Sequence, residues 1–162
     1  MDKFRTAMKF VLIWEGGFVN NPADPGGATN KGITQNVYTA YRRRKKMNAQ
    51  SVASMTDAEM LEIYRVQYWD AAGCEKMMLP TSTVAMDIAV NMGVGRIKEF
   101  LADVRLHMDA DPTNDATEVA TRLLELRTAF YYAIVKRRPA SGVFLRGWLN
   151  RVRALREYCG LK

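Results

Sequence analysis

Trp14-Glu15-Gly16-Gly17-Phe18-Val19-Asn20, followed after a three-residue gap by Asp24-Pro25-Gly26-Gly27-Ala28-Thr29-Asn30-Lys31-Gly32-Ile33-Thr34, is the stretch that decides how this chain folds. Before it, Phe4, Ala7, Met8, Val11 and Trp14 recur at spacings of three and four, which predicts an amphipathic helix over residues 2–14. The Gly16-Gly17 pair ends that helix, because glycine tolerates the left-handed conformation that a helix C-terminus needs. Asp24-Pro25-Gly26-Gly27 is turn chemistry: proline presets φ at the first turn position and glycine accepts a positive φ at the next. Residues 16–33 are therefore expected to form a small turn-rich lobe with a short two-stranded hairpin. Thr34 is placed to cap the following helix.

The lobe brings two carboxylates into play. Glu15 sits at a helix end beside an aromatic residue, and Asp24 lies on the turn that returns toward it. A carboxyl group packed against an apolar wall has its charged form disfavoured and can donate a proton near neutral pH. A second carboxylate in a wetter setting stays ionised and can orient water or stabilise positive charge on a sugar. The bland alternative is a helix-end glutamate and a turn-capping aspartate with no chemistry.

Outward from this stretch the chain reads as helices. Thr34 opens one through about Lys46, with Ile33, Val37 and Tyr41 as its apolar stripe, and it ends in the basic run Arg42–Lys46. Thr56-Asp57-Ala58-Glu59 is a capping box that opens another, expected to end near Gly73. Thr81 or Ser82 is expected to cap a fourth helix that stops at Gly93, with Asn91 as a polar residue among apolar neighbours. Further helices are expected over 96–108, over 116–137 with Asp115 as its cap, and over 142–158, the last with Arg146, Arg151, Arg153 and Arg156 on its outer faces. Tyr68 and Trp69 are either core or a sugar platform. Periodicity alone thus gives a mainly helical chain with about seven helices and one small hairpin lobe.

Composition narrows the class. With 162 residues, 48% of them hydrophobic and 25% charged, the chain suits one globular domain burying roughly 70% of its unfolded surface. The net charge of +7 is concentrated at the end: residues 127–162 hold nine Arg or Lys against the single acid Glu157. Such a surface attracts polyanions of any kind. Cys74 and Cys159 read as two reduced thiols rather than a disulfide scaffold. The acidic segment 109–115 lacks the central glycine and terminal glutamate of a calcium loop, and His107 has no metal-ligating neighbours in sequence. No metal and no cofactor is expected. The charged N-terminus and the short apolar run Phe10–Trp14 suit neither a signal peptide nor a membrane span, so cytoplasmic synthesis is expected.

Glu15–Asn20 and Asp24–Thr34, with Tyr68-Trp69-Asp70, Asp87-Ile88-Ala89-Val90-Asn91-Met92-Gly93 and Phe144-Leu145-Arg146-Gly147-Trp148-Leu149-Asn150-Arg151-Val152, resemble in order the sequence blocks of glycoside hydrolase family 108. The resemblance spans nearly the whole chain. It implies an α+β, mostly helical, lysozyme-like domain over 1–162, with a catalytic part at 1–80 and a helical part at 81–162 that resembles a predicted peptidoglycan-binding region. It also implies an N-acetylmuramidase, as in phage endolysins and bacterial muramidases, cutting the β-1,4 bond between N-acetylmuramic acid and N-acetylglucosamine in the cell wall. Release to the wall, by a separate holin in the phage case, is part of the same implication.

On this resemblance Glu15 would protonate the leaving oxygen, and Asp24 with Thr29 would position water or stabilise the developing cation. Thr29 follows Asp24 by five residues, one short of the usual phage-lysozyme spacing, so Asn30 or Thr34 could take its part. Asn30, Thr34, Tyr68, Trp69, Asn91 and Trp148 are the expected substrate contacts. A lytic transglycosylase acting on the same bond stays open as an alternative. A basic nucleic-acid-binding module is a more remote one, disfavoured because such a module has no use for the Glu-Gly-Gly lobe. A monomer is expected, with peptidoglycan strands as partner and the basic last helix as a possible contact for anionic wall or membrane.

Overall fold

The computed structural model describes residues 2–20, 27–108 and 116–162. Asp24, the cap expected from Asp115 and the acidic segment 109–115 fall outside the described residues. The chain divides into two compact units, one of residues 1–10 and 68–162 and the other of residues 11–67. The sequence reading placed its internal division at residue 80.

The smaller unit contains the end of helix α1 (Lys3–Trp14), strands β1 (Thr29–Asn30) and β2 (Ile33–Thr34), and helices α2 (Gln35–Arg44) and α3 (Asp57–Tyr64). The expected hairpin is present: β1 and β2 pair antiparallel, Thr29 with Thr34 and Asn30 with Ile33. Lys31 and Gly32 form its two-residue turn with φ of 48° and 76°, the pair of positive values that suits the twist of a tight hairpin. Val19 adds a further rung, exchanging two backbone hydrogen bonds of 2.8 Å with Thr29.

Gln35 fastens this hairpin to the loop beyond α2. Its amide oxygen accepts from the Val52 backbone at 2.7 Å and its amide nitrogen donates to Gln50 O at 2.9 Å. Thr34 caps α2 as expected, its hydroxyl accepting from Val37 N. The buried side of α2, however, is Tyr38, Tyr41 and Arg42. Arg42 turns inward because Glu59 of α3 is there to meet it at 2.7 Å, so one cation of the basic run is consumed internally. The capping box of Thr56 and Glu59 is formed. Helix α3 ends at Tyr64 and gives way to a wider π-helical turn, Arg65–Asp70, earlier than the sequence suggests.

The larger unit holds the start of α1 and helices α4 (Thr81–Met92), α5 (Val94–Met108), α6 (Ala116–Arg137) and α7 (Gly142–Tyr158). Helix α4 is the hub. It packs on both α5 and α6, and every residue from Thr81 to Ala89 is buried. Neither Thr81 nor Ser82 caps it: the preceding position is Pro80, with no side-chain cap. Thr81 is instead the first helical residue and spends its hydroxyl on the Ala116 carbonyl at 2.6 Å, while Ser82 Oγ is buried with no hydrogen-bond partner among the described residues. Arg151 is a second correction. It is buried beside Asp87, so it does not belong to the outer basic face of α7. Cys74 and Cys159 are free thiols, each pushed up to about 12 mainly by burial. No helix among the described residues is long and apolar enough to cross a membrane.

Candidate functional site

In the smaller unit, Glu15 follows the last residue of α1, its backbone N–H still bonded to Val11 O at 3.1 Å. Its side chain is half-buried. The carboxylate rests against the hairpin turn. A Cβ placed on Gly32 would stand 2.6 Å from Glu15 Oε2 and closer still to the Tyr64 hydroxyl, so a side chain there would push both groups aside. The positive φ of Gly32 requires glycine for a second, independent reason.

Glu15 also lines a cavity of about 360 Å³ within the same unit, with Gly16, Gly17 and Lys31 at polar positions and Leu12, Met60 and Leu61 supplying apolar wall. Gly16 and Gly17 have open space where side chains would be, which leaves the backbone beside Glu15 accessible. Lys31 forms an ion pair with Asp57, which also lines the cavity. A carboxyl group with apolar wall on one side and open backbone on the other can meet a sugar and hand it a proton.

The other expected residues of this unit are placed as follows. Thr29 is half-buried in β1, and its hydroxyl donates to Gly27 O at a long 3.5 Å. Asn30 is only 8% exposed, and its amide donates to Val52 O at 3.0 Å, so that side chain holds the hairpin. The Thr34 hydroxyl is the α2 cap already described.

The larger unit brings together two more of the expected residues, Asn91 and Trp148, through partners that sequence reasoning did not find. Asp87 and Asn91 lie one turn apart on α4, as do Arg127 and Tyr131 on α6, and such i,i+4 pairs share a helix face. Arg127, wholly buried, donates to Asp87 at 2.6 Å, to Asn91 Oδ1 at 3.1 Å and to the Tyr131 hydroxyl at 2.9 Å. Tyr131 in turn donates to Asn91 Oδ1 at 2.7 Å. Two donors on one oxygen fix the amide's orientation and leave Asn91 Nδ2, on an exposed residue, without a partner among the described residues. Trp148 stacks on Tyr131 with ring centroids 4.8 Å apart, and Phe144, 59% exposed, stacks on Trp148. The result is a fixed amide donor next to an aromatic ledge.

Tyr68 and Trp69 belong to this unit as well. Trp69 is wholly buried, edge-on to Phe4, with its indole N–H donating to Glu75 at 2.9 Å, so no face of the ring is open to a ligand. Tyr68 is half-buried. Among the described residues no three His, Cys, Asp or Glu side chains converge as a metal site would require.

A sequence profile described as Glycosyl hydrolase 108 matches residues 8–93, more than half of the chain and inclusive of Glu15 and the whole hairpin lobe. Among solved structures, one titled "Structure of Brucella abortus SagA" superposes with a TM-score of 0.73 at 29% identity, covering 96% of this chain and 92% of that one. The mainly helical, lysozyme-like fold with a small antiparallel pair is thereby established. A search of curated protein sequences finds no match.

Proposed function

Because this chain belongs to glycosyl hydrolase family 108, and is thus a glycoside hydrolase that degrades peptidoglycan, we propose that it is an N-acetylmuramidase with Glu15 as its general acid. The observation that carries this reading is the placement of Glu15: a half-buried carboxylate at a helix end, confined by the Gly32 turn and opening on the 360 Å³ cavity. In the proposed reaction the Glu15 carboxyl gives its proton to the glycosidic oxygen as the bond to C1 of N-acetylmuramic acid breaks. The oxygen departs as the 4-hydroxyl of N-acetylglucosamine. Water then adds to C1 and leaves a reducing N-acetylmuramic acid end.

Asp24 is assigned to orienting that water or balancing the positive charge on the ring. Thr29 assists from β1, where its hydroxyl donates to Gly27 O at a long 3.5 Å. Asn30 and Thr34 act by holding the hairpin and starting α2. In the larger unit, Asn91 is assigned to an acetamido or hydroxyl oxygen of the glycan, and the Trp148 ledge to the face of a sugar ring. Trp69 is not retained as a contact because its ring is enclosed.

The test is product analysis by mass after digestion of purified peptidoglycan. The reading requires muropeptides ending in reducing N-acetylmuramic acid. Anhydro ends, lighter by one water, would assign the chain to transglycosylation, and reducing N-acetylglucosamine ends would move the cut to the other glycosidic bond.

A further inference from the structure

The turn against which Glu15 rests is held on its other flank by a side chain to which the reaction gives no role. Tyr64, the last residue of α3 and 1% exposed, donates its phenolic hydrogen to Lys31 O at 2.8 Å. A buried tyrosine hydroxyl must find an acceptor, and backbone carbonyls of any neighbouring element would serve. This one reaches the first residue of the turn, whose φ of 48° is unusual for a side-chain-bearing residue. The same phenol oxygen and Glu15 Oε2 both press into the small space that a Cβ on Gly32 would fill. Phenol, turn backbone and carboxylate therefore form one packed junction, all inside the smaller unit.

The other ties on the hairpin act elsewhere. The Asn30 amide and the Gln35 side chain bind the Val52 backbone, and the Gln35 N–H bonds Ala28 O at 2.8 Å, which fixes the strand ends. Lys31 is also tied, but through its flexible side chain, to Asp57 at the start of α3. The backbone of the turn itself is held by Tyr64. A π-helical turn begins at the very next residue, and such turns are frequent at functional sites.

We propose that Tyr64 is a positioning residue for the acid: its hydroxyl holds the Lys31-Gly32 turn at the height that confines the Glu15 carboxyl. The proposal rests on the reading of Glu15 as proton donor. It goes further by assigning the reaction's geometric precision to a residue 49 positions away in sequence (64 minus 15). Loss of the hydroxyl leaves the ring to fill its place in the core and frees the turn to shift. A displacement of about 1 Å at the acid costs up to about a hundredfold in rate.

The experiment compares wild type, Tyr64→Phe, Gly32→Ala and Glu15→Gln on soluble, peptide-free glycan strands, with circular dichroism and thermal melts run in parallel. The proposal expects Tyr64→Phe to stay folded and lose about tenfold or more in kcat, with KM within about twofold of wild type. Gly32→Ala, which pushes a methyl into the junction, is expected to lose at least as much. Tyr64→Phe with kcat within twofold of wild type overturns the proposal, as does a loss that merely tracks the unfolded fraction or falls on KM alone. If Glu15→Gln is inactive while Tyr64→Phe is fully active, the positioning role alone fails. If Glu15→Gln cleaves like wild type, the acid assignment fails and takes this proposal with it.

Discussion

Arg127 donates to Asp87 at 2.6 Å with both side chains entirely shielded from solvent, and Arg151 reaches the other oxygen of the same carboxylate at 2.7 Å. One buried carboxylate thus answers two guanidinium groups, on helices α4, α6 and α7. Charges taken out of water are tolerated only when they are paired and their hydrogen bonds are filled. Asp87→Ala would take the shared carboxylate from two buried guanidinium groups at once. It is expected to lower the unfolding free energy by about 3–5 kcal/mol, the range for breaking a buried pair, read from denaturant melts. A loss below about 1 kcal/mol would show that water enters the cluster.

The same cluster aims Asn91. With Arg127 and Tyr131 both donating to Oδ1, the amide has one orientation, and its N–H bonds face outward beside the Trp148 ledge. Asn91→Asp keeps the shape and the two inward hydrogen bonds while removing the outward donor. Binding of N-acetylglucosamine oligomers, measured by titration calorimetry in a Glu15→Gln background, is expected to weaken about tenfold, the equivalent of one hydrogen bond of about 1.4 kcal/mol. Stability is expected to hold, since the new carboxylate faces a guanidinium. Unchanged affinity would make Asn91 a structural residue.

The elements were legible because their signals are local. Three- and four-residue spacing, the Thr34 cap and the Thr56/Glu59 box lie within a few residues of what they specify, and α6 and α7 stand where the pattern puts them. Glu15 was legible for the same reason, as an acid at a helix end before a turn-rich lobe. Helix α1 does end just before Gly16-Gly17, but neither glycine adopts the left-handed conformation on which that stop was expected to depend. What pattern could not supply is any contact that closes over a long loop. Tyr64 meets a turn more than thirty residues earlier, and nothing around it in sequence distinguishes it from an ordinary core tyrosine. Arg151 looked like one more cation on a basic helix because its partner Asp87 lies 64 residues away. Trp69 illustrates the reverse case: an aromatic residue reads equally well as ledge or core until its burial is known.

The Glu59 carboxyl supplies a pH dependence. Burial pushes its proton affinity up, but hydrogen bonds from the Thr56 backbone, the Tyr38 hydroxyl and the Thr56 side chain, together with the Arg42 charge, outweigh that and hold it below its ordinary 4.5. A carboxylate depressed in the folded state stabilises at pH values above its unfolded value, and that contribution is lost as pH falls through the folded one. Glu59→Gln is therefore expected to cost about 1–3 kcal/mol at pH 7, as for other hydrogen bonds to a charged group. The gap to wild type should narrow in urea melts run near pH 3. A gap independent of pH would mean that the charge on Glu59 contributes nothing.

The acid role of Glu15 stands or falls on one substitution. Glu15→Gln keeps the size and the packing against Gly32 and removes the transferable proton. With the variant shown to be folded, release of reducing ends from purified peptidoglycan is predicted to fall a hundredfold or more, on the order expected for losing a general acid. A folded Glu15→Gln protein that releases reducing ends at the wild-type rate would contradict the account.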